Sequence, residues 1–149
     1  MPKPLPGPSM APVKQPGESH GSRDPRTGRT GHLAPGYTSA VGTRVESAEP
    51  GYVVMSLAKT DHLLQANGFF HGGVVAGLAD HAAGGAVTTA MPPGRFAVTV
   101  NLQVSFLAPA KGTSLIARAR ALQVGSTIGV ARVDVASIAD ERRRALSRQ

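Results

Sequence analysis

The feature that most constrains this chain is the stretch 71–91, which reads as a helix lacking a charged face. It contains no Pro and little β-branching, and Met91-Pro92-Pro93-Gly94 closes it because neither Pro nor Gly continues the hydrogen-bond ladder. A helix on the surface of a globular protein separates an apolar stripe from a charged one. Here the only ionisable side chains between 72 and 91 are Asp80 and His81. Gly72, Gly73, Gly77, Gly84 and Gly85 stand among alanines, and each Gly costs a helix roughly 1 kcal/mol relative to Ala. Close approach of other backbone offsets that cost. The pattern therefore predicts a helix enclosed on nearly every side, by its own sheet on one flank and by a second copy of the chain on the other.

The flanking segments supply the sheet. Residues 38–48, the turn Glu49-Pro50-Gly51 and residues 52–59 read as a hairpin, with Val53, Met55 and Leu57 on one side of the second arm. Residues 60–70 form a loop with a turn at Asn67-Gly68. After the helix, residues 96–107 alternate: Val98, Val100, Leu102, Val104 and Phe106 on one side, Thr99, Asn101, Gln103 and Ser105 on the other. Residues 114–124 and 127–138 are two more strands joined at Gly125-Ser126, and a remnant strand is expected near Ala145. The order is β-β-α-β-β-β, an α+β fold.

Composition bounds what such a domain can do. At 149 residues there is room for one domain, and with no cysteine there is neither disulfide, thiolate chemistry nor cysteine-bound zinc. Residues 1–35 are rich in Pro, Gly, Ser and Arg and hold too little apolar surface to offset ordering entropy, so they read as a disordered tail ahead of a domain at 36–149. No apolar run is long enough to span a membrane, and no secretory signal opens the chain, so the expected location is cytoplasmic. The net charge of +7 divides unevenly: five basic and two acidic side chains in 1–36, three and four in 37–110, eight and three in 111–149. The centre is nearly neutral, and a polyanionic small molecule suits the basic ends as well as nucleic acid does. Without aromatic interleaving or a reader motif, nucleic-acid binding is not expected.

Chemistry concentrates at the helix. Gly72 and Gly73 open it, where backbone N–H groups have no intrahelical partner and the dipole is positive, so a carbonyl oxygen gaining negative charge could be held there. A glycine pair chosen only for packing is the alternative. Asp80 is an ionised carboxylate within an otherwise uncharged helix, costly unless something pairs or uses it, and a hydrogen-bonded structural Asp is the plain alternative. Eight residues separate Gly72 from Asp80, which is about 12 Å along a helix. One reacting carbonyl cannot touch both. If both act together they come from two copies across a twofold axis, giving two shared sites per dimer.

The run Gln65-Ala66-Asn67-Gly68-Phe69-Phe70-His71-Gly72-Gly73, continuing to Leu78-Ala79-Asp80, resembles the signature of hot-dog thioesterases of the phenylacetate-degradation (PaaI) type. The segment from Thr99 to Ala110 is similar to the strand that follows the helix in that family, and the likeness spans residues 37–138, about two thirds of the chain. The resemblance implies a hot-dog fold, an antiparallel sheet of five to six strands wrapped around one long central helix, and an acyl-CoA thioesterase working as a homodimer or homotetramer without cofactor or metal. Carried over, it makes Asp80 the general base or nucleophile and the Gly72 amide the group that polarises the thioester carbonyl. Gln65 falls where the family carries Asn or Gln near the reacting carbon, with Asn67 competing for that role. His71 matches the motif histidine and is expected to orient the loop and helix start rather than to transfer protons. His81 stands where the family often has a small hydroxyl residue, which leaves open whether it assists Asp80. Gly73, Asn67 and His81 are expected near the substrate.

Coenzyme A carries three phosphates, so Arg118 and Arg120, which share one strand face, are candidate phosphate contacts. Lys111, Arg132 and residues 142–144 are further candidates, and solvated arginines are the plain alternative. Phe69 and Phe70 line the acyl pocket, the core or the dimer interface. His20, His32 and His62 have no metal-ligand spacing. A hot-dog module that binds acyl-CoA without turning it over is the competing function; it has no need of Asp80. A hydratase fits poorly, because Asp80 and His81 are adjacent and point about 100° apart on a helix.

Overall fold

The structure, a computed structural model, describes residues 36–139. The expected tail at 1–35, the remnant strand near Ala145, the arginines at 142–144, His20 and His32 lie outside them. The element order is a four-residue helix α1 (Tyr37–Ala40), strands β1 (Arg44–Glu49) and β2 (Tyr52–Ala58), a 3-10 turn (Asp61–Leu63), the 18-residue helix α2 (Gly72–Thr89), and strands β3 (Ser114–Val124) and β4 (Gly129–Ile138). The strands form one antiparallel sheet in the order β1-β2-β3-β4.

Side-chain alternation gives the sheet its two faces. Val53 pairs with Ala119, Met55 with Ala117 and Leu57 with Leu115, while Ala117 and Ala119 pair in turn with Val135 and Val133. These residues turn one way and meet Leu78, Ala82 and Ala86 of α2 in the core. Glycines let the helix settle close. A Cβ on Gly85 would lie 3.1 Å from Cε of Met55, and one on Gly129 would lie 2.6 Å from Cγ1 of Val87. The β1–β2 turn places Pro50 before Gly51 at φ 77°, the order of a type II turn, which needs a positive φ at its third position.

Two expectations need correction. The first arm of the hairpin is shorter than 38–48, because Tyr37–Ala40 closes a helical turn and pairing begins only at Arg44. More consequentially, residues 96–107 join no sheet, so the described residues carry four strands, not five or six. The segment runs back along α2. It is tied at one end by the Ala97 N–H on Thr88 Oγ1 (3.0 Å), and at the other the Phe106 ring lies 3.4 Å from where a Cβ of Gly72 would be. Alternation records that one side of a strand needs burial, and it does not say which surface provides it. Here that side stays open: Val98 is 75% and Val100 81% exposed.

Candidate active site

The entrance to α2 is built by the loop before it. Gly68 N–H bonds the Gln65 carbonyl (2.9 Å) and Gln65 N–H bonds that of Phe69 (2.9 Å). Asn67 Oδ1 accepts from Phe69 N–H (3.2 Å), so the side chain that competes with Gln65 for the substrate is engaged within its own turn. Phe70 N–H donates to Ala110 and His71 N–H to Leu63, which pins the residue at the helix N-cap.

His71 then serves three of the four N–H groups of the first helical turn. Its Nδ1 accepts from Gly73 N–H (3.0 Å), and its carbonyl accepts from Val74 (2.9 Å) and Val75 (3.2 Å). The imidazole is thus a helix cap, and accepting at Nδ1 requires that nitrogen to be unprotonated. Gly73, expected near the substrate, has its amide occupied. Gly72 is different: among the described residues no group accepts its N–H, and it faces a cleft of about 1880 Å³. A Cβ at that position would come into ordinary contact with the Phe106 ring.

Asp80 opens on the same cleft, as do Gln65 and Asn67. It is half-buried, and Thr99 Oγ1–H donates to its Oδ1 at 2.6 Å. Thr99 was not among the candidates read from the sequence. Its signal was its place on the polar side of the 96–107 alternation, and nothing in spacing alone tells which hydroxyl of that row meets the carboxylate. Both groups lie on one unbroken helix, and its rise puts Gly72 and Asp80 about 12 Å apart.

His81, next to Asp80, is half-buried, and its Nε2 is enclosed without a hydrogen-bond partner. Burial pushes its pKa below the ordinary 6.5, with the Asp80 carboxylate opposing. A second, smaller cleft of about 680 Å³ meets Asp80 and His81 from the side of the β1–β2 hairpin. Arg118 and Arg120 lie elsewhere, whereas Arg132 is on the wall of the larger cleft. Arg118 and Arg120 pair with Val54 and Tyr52, on the sheet face turned away from α2, and Arg120 packs on the Tyr52 ring at 5.2 Å. Arg132 stands opposite Arg120, and Lys111 lies over the Phe69 ring at 5.0 Å. Neither Arg118 nor Arg120 lines the cleft that holds Gly72 and Asp80. Phe70 is core. His62 is exposed in the 3-10 turn, and among the described residues no three His, Asp or Glu side chains converge as a metal site.

A sequence profile of the Thioesterase superfamily matches residues 67–142, the span that includes the helix entrance, Asp80 and Thr99. The chain belongs to the thioesterase superfamily. This thioesterase is 40% identical over 110 residues to a candidate esterase of Halobacterium salinarum, a match covering 70% of this chain and 72% of that one. It is 28% identical over 95 residues to the 1,4-dihydroxy-2-naphthoyl-CoA hydrolase of Listeria monocytogenes, covering 64% and 77%. Among solved structures it resembles the PaaI protein of the E. coli phenylacetic acid degradation operon, with TM-score 0.60, 27% identity, and coverage of 66% of this chain and 70% of that one. The fold is the hot-dog fold and the enzyme is a thioester hydrolase. No helix among the described residues is long and apolar enough to cross a membrane.

Proposed function

We propose that the thioesterase hydrolyses an acyl- or aryl-CoA to the free acid and coenzyme A, in a cytoplasmic homodimer whose active sites are each shared between two copies of α2. The observation that carries this reading is the pair formed by the unengaged Gly72 amide and the Thr99-bonded Asp80. They sit too far apart on one helix to meet the same carbonyl. The exposed apolar side of 96–107 supports an assembly of copies, since contiguous apolar surface of this kind marks a docking site. The CoA ester named for the Listeria relative supports the substrate class.

In this mechanism the Gly72 N–H of one copy holds the thioester oxygen as it becomes negative, at the positive end of the helix dipole. Asp80 of the partner subunit acts in one of two ways. As a general base it takes a proton from water as the water oxygen bonds to the carbonyl carbon. As a nucleophile it forms an anhydride that water then opens. In either route the C–S bond breaks and the CoA sulfur leaves, to be protonated. Gln65 holds water or substrate at the mouth of the cleft, and His71 keeps the amide in place. CoA phosphates reach a basic surface supplied by one of the arginine groups. Raised salt should increase the KM for an acyl-CoA, and so should Arg118→Ala if the outer sheet face supplies that surface; no response to the substitution removes that face.

The decisive experiment is Asp80→Asn, assayed by thiol release and by size-exclusion chromatography. Turnover should fall by roughly 10²–10⁴-fold, the usual worth of a positioned base, while the dimer persists. Undiminished turnover removes Asp80 from the mechanism. A fully active monomer removes the shared site.

A further inference from the structure

The smaller cleft beside Asp80 has a composition that none of the catalytic steps uses. Its walls are Val45, Val53, Met55, Gly84, Phe96 and Val98, together with a few small residues and the side of the helix that carries Asp80 and His81. Its polar lining is largely committed elsewhere. Thr88 Oγ1 accepts from Ala97 N–H at 3.0 Å. Thr89 Oγ1 donates to the Ala86 carbonyl and accepts from Gly51 N–H. The Thr99 hydroxyl is bonded to Asp80. Asp80 and His81 are then the only ionisable side chains on the lining, and neither is a fixed cation that could pair with a second carboxylate. A pocket of this make-up stabilises apolar atoms by removing them from water and disfavours a charge that would enter unpaired.

One position on its lining has free space beside it. A Cβ built on Gly84 meets nothing within 4 Å, whereas one on neighbouring Gly85 runs into Met55 and Val53. Gly84 lies one helical turn beyond Asp80 and lines both clefts. A side chain there would grow into open space, a turn away from the reacting carbon.

We infer that this cleft receives the acyl group of the substrate, that the acyl group is uncharged and apolar and larger than acetyl, and that Gly84 sets how large it can be. The inference rests on the reading of Asp80 as the catalytic carboxylate, since continuity with Asp80 is what joins the cleft to the reaction. The test is a set of kcat/KM values for acetyl-, hexanoyl-, phenylacetyl- and glutaryl-CoA with the full-length enzyme, its Gly84→Ala and Gly84→Leu variants, and Asp80→Asn. The wild type should prefer hexanoyl- and phenylacetyl-CoA over glutaryl-CoA by tenfold or more. Gly84→Leu should lower the ratio of hexanoyl to acetyl kcat/KM by tenfold or more, with Gly84→Ala in between. A ratio of two substrates on one preparation does not depend on the fraction of enzyme that is folded, so a poorly folding variant still reports. Glutaryl-CoA turned over as well as hexanoyl-CoA, or a ratio unmoved by Gly84→Leu, overturns the acyl cleft alone. Asp80→Asn turning over every ester like the wild type overturns the catalytic reading beneath it.

Discussion

Without the Thr99 hydroxyl, one oxygen of Asp80 loses the donor that holds it at 2.6 Å. A carboxylate acting on a carbonyl must keep its direction as well as its charge, and small misplacements are costly in rate. Thr99→Val is expected to lower kcat about tenfold or more with little change in KM, and Thr99→Ser to restore most of it. A loss in KM alone would reduce Thr99 to a substrate contact. His81 makes a prediction of a different kind. Its pKa is lowered by burial, with Asp80 opposing, so the unfolded chain binds the proton more readily than the folded one. Stability is then complete above the unfolded value near 6.5 and declines as pH falls below it, towards the lower folded value. The drop in melting temperature between pH 7.5 and 5.5 should shrink in His81→Leu. An unchanged drop would show that other groups carry the acid sensitivity.

At the scale of elements, one side chain caps the Gly73 amide at the start of α2. His71→Ala removes the acceptor of the Gly73 amide and is expected to cost about 1 kcal/mol, the ordinary worth of an N-cap, along with part of the activity. His71→Asn, which can cap in the same way, should recover stability on chemical denaturation. If Asn fails where His succeeds, the ring does more than cap. The contact between helix and last strand is tight at one point. Gly129→Ala should destabilise by about 1–3 kcal/mol through overpacking on Val87, and Val87→Ala in the same chain should relieve part of that loss. The two substitutions adding independently would mean that the helix simply shifts. Strand 114–124 was legible to the residue because both its flanks carry turn signals and its neighbours pair with it in the chain. Strand 96–107 had the clearest alternation of all and forms no ladder, since hydrogen bonding depends on where a second edge lies.

The whole molecule presents an apolar row at Val98 and Val100, exposed to 75% and 81%, on a segment that also carries Thr99. A contact made there by another copy would join assembly to catalysis. Val100→Asp is expected to give a monomer in sedimentation and to reduce turnover at least tenfold, although residue 100 touches no reacting atom in the mechanism. An active monomer would separate the two. The chain by itself determined most of the elements and the family: a helix whose only ionisable side chains are Asp80 and His81, a glycine amide about 12 Å before the carboxylate, and a motif that resembles hot-dog thioesterases. Local spacing suffices for these, because helix rise and residue type are properties of neighbours in sequence. Only the tertiary structure decided that His71 occupies three amides and leaves Gly72 open, that Thr99 is the hydroxyl on Asp80, and that Arg118 and Arg120 face away from the helix. Those facts depend on which groups the chain brings together across tens of residues, and alternation or spacing carries no record of the partner.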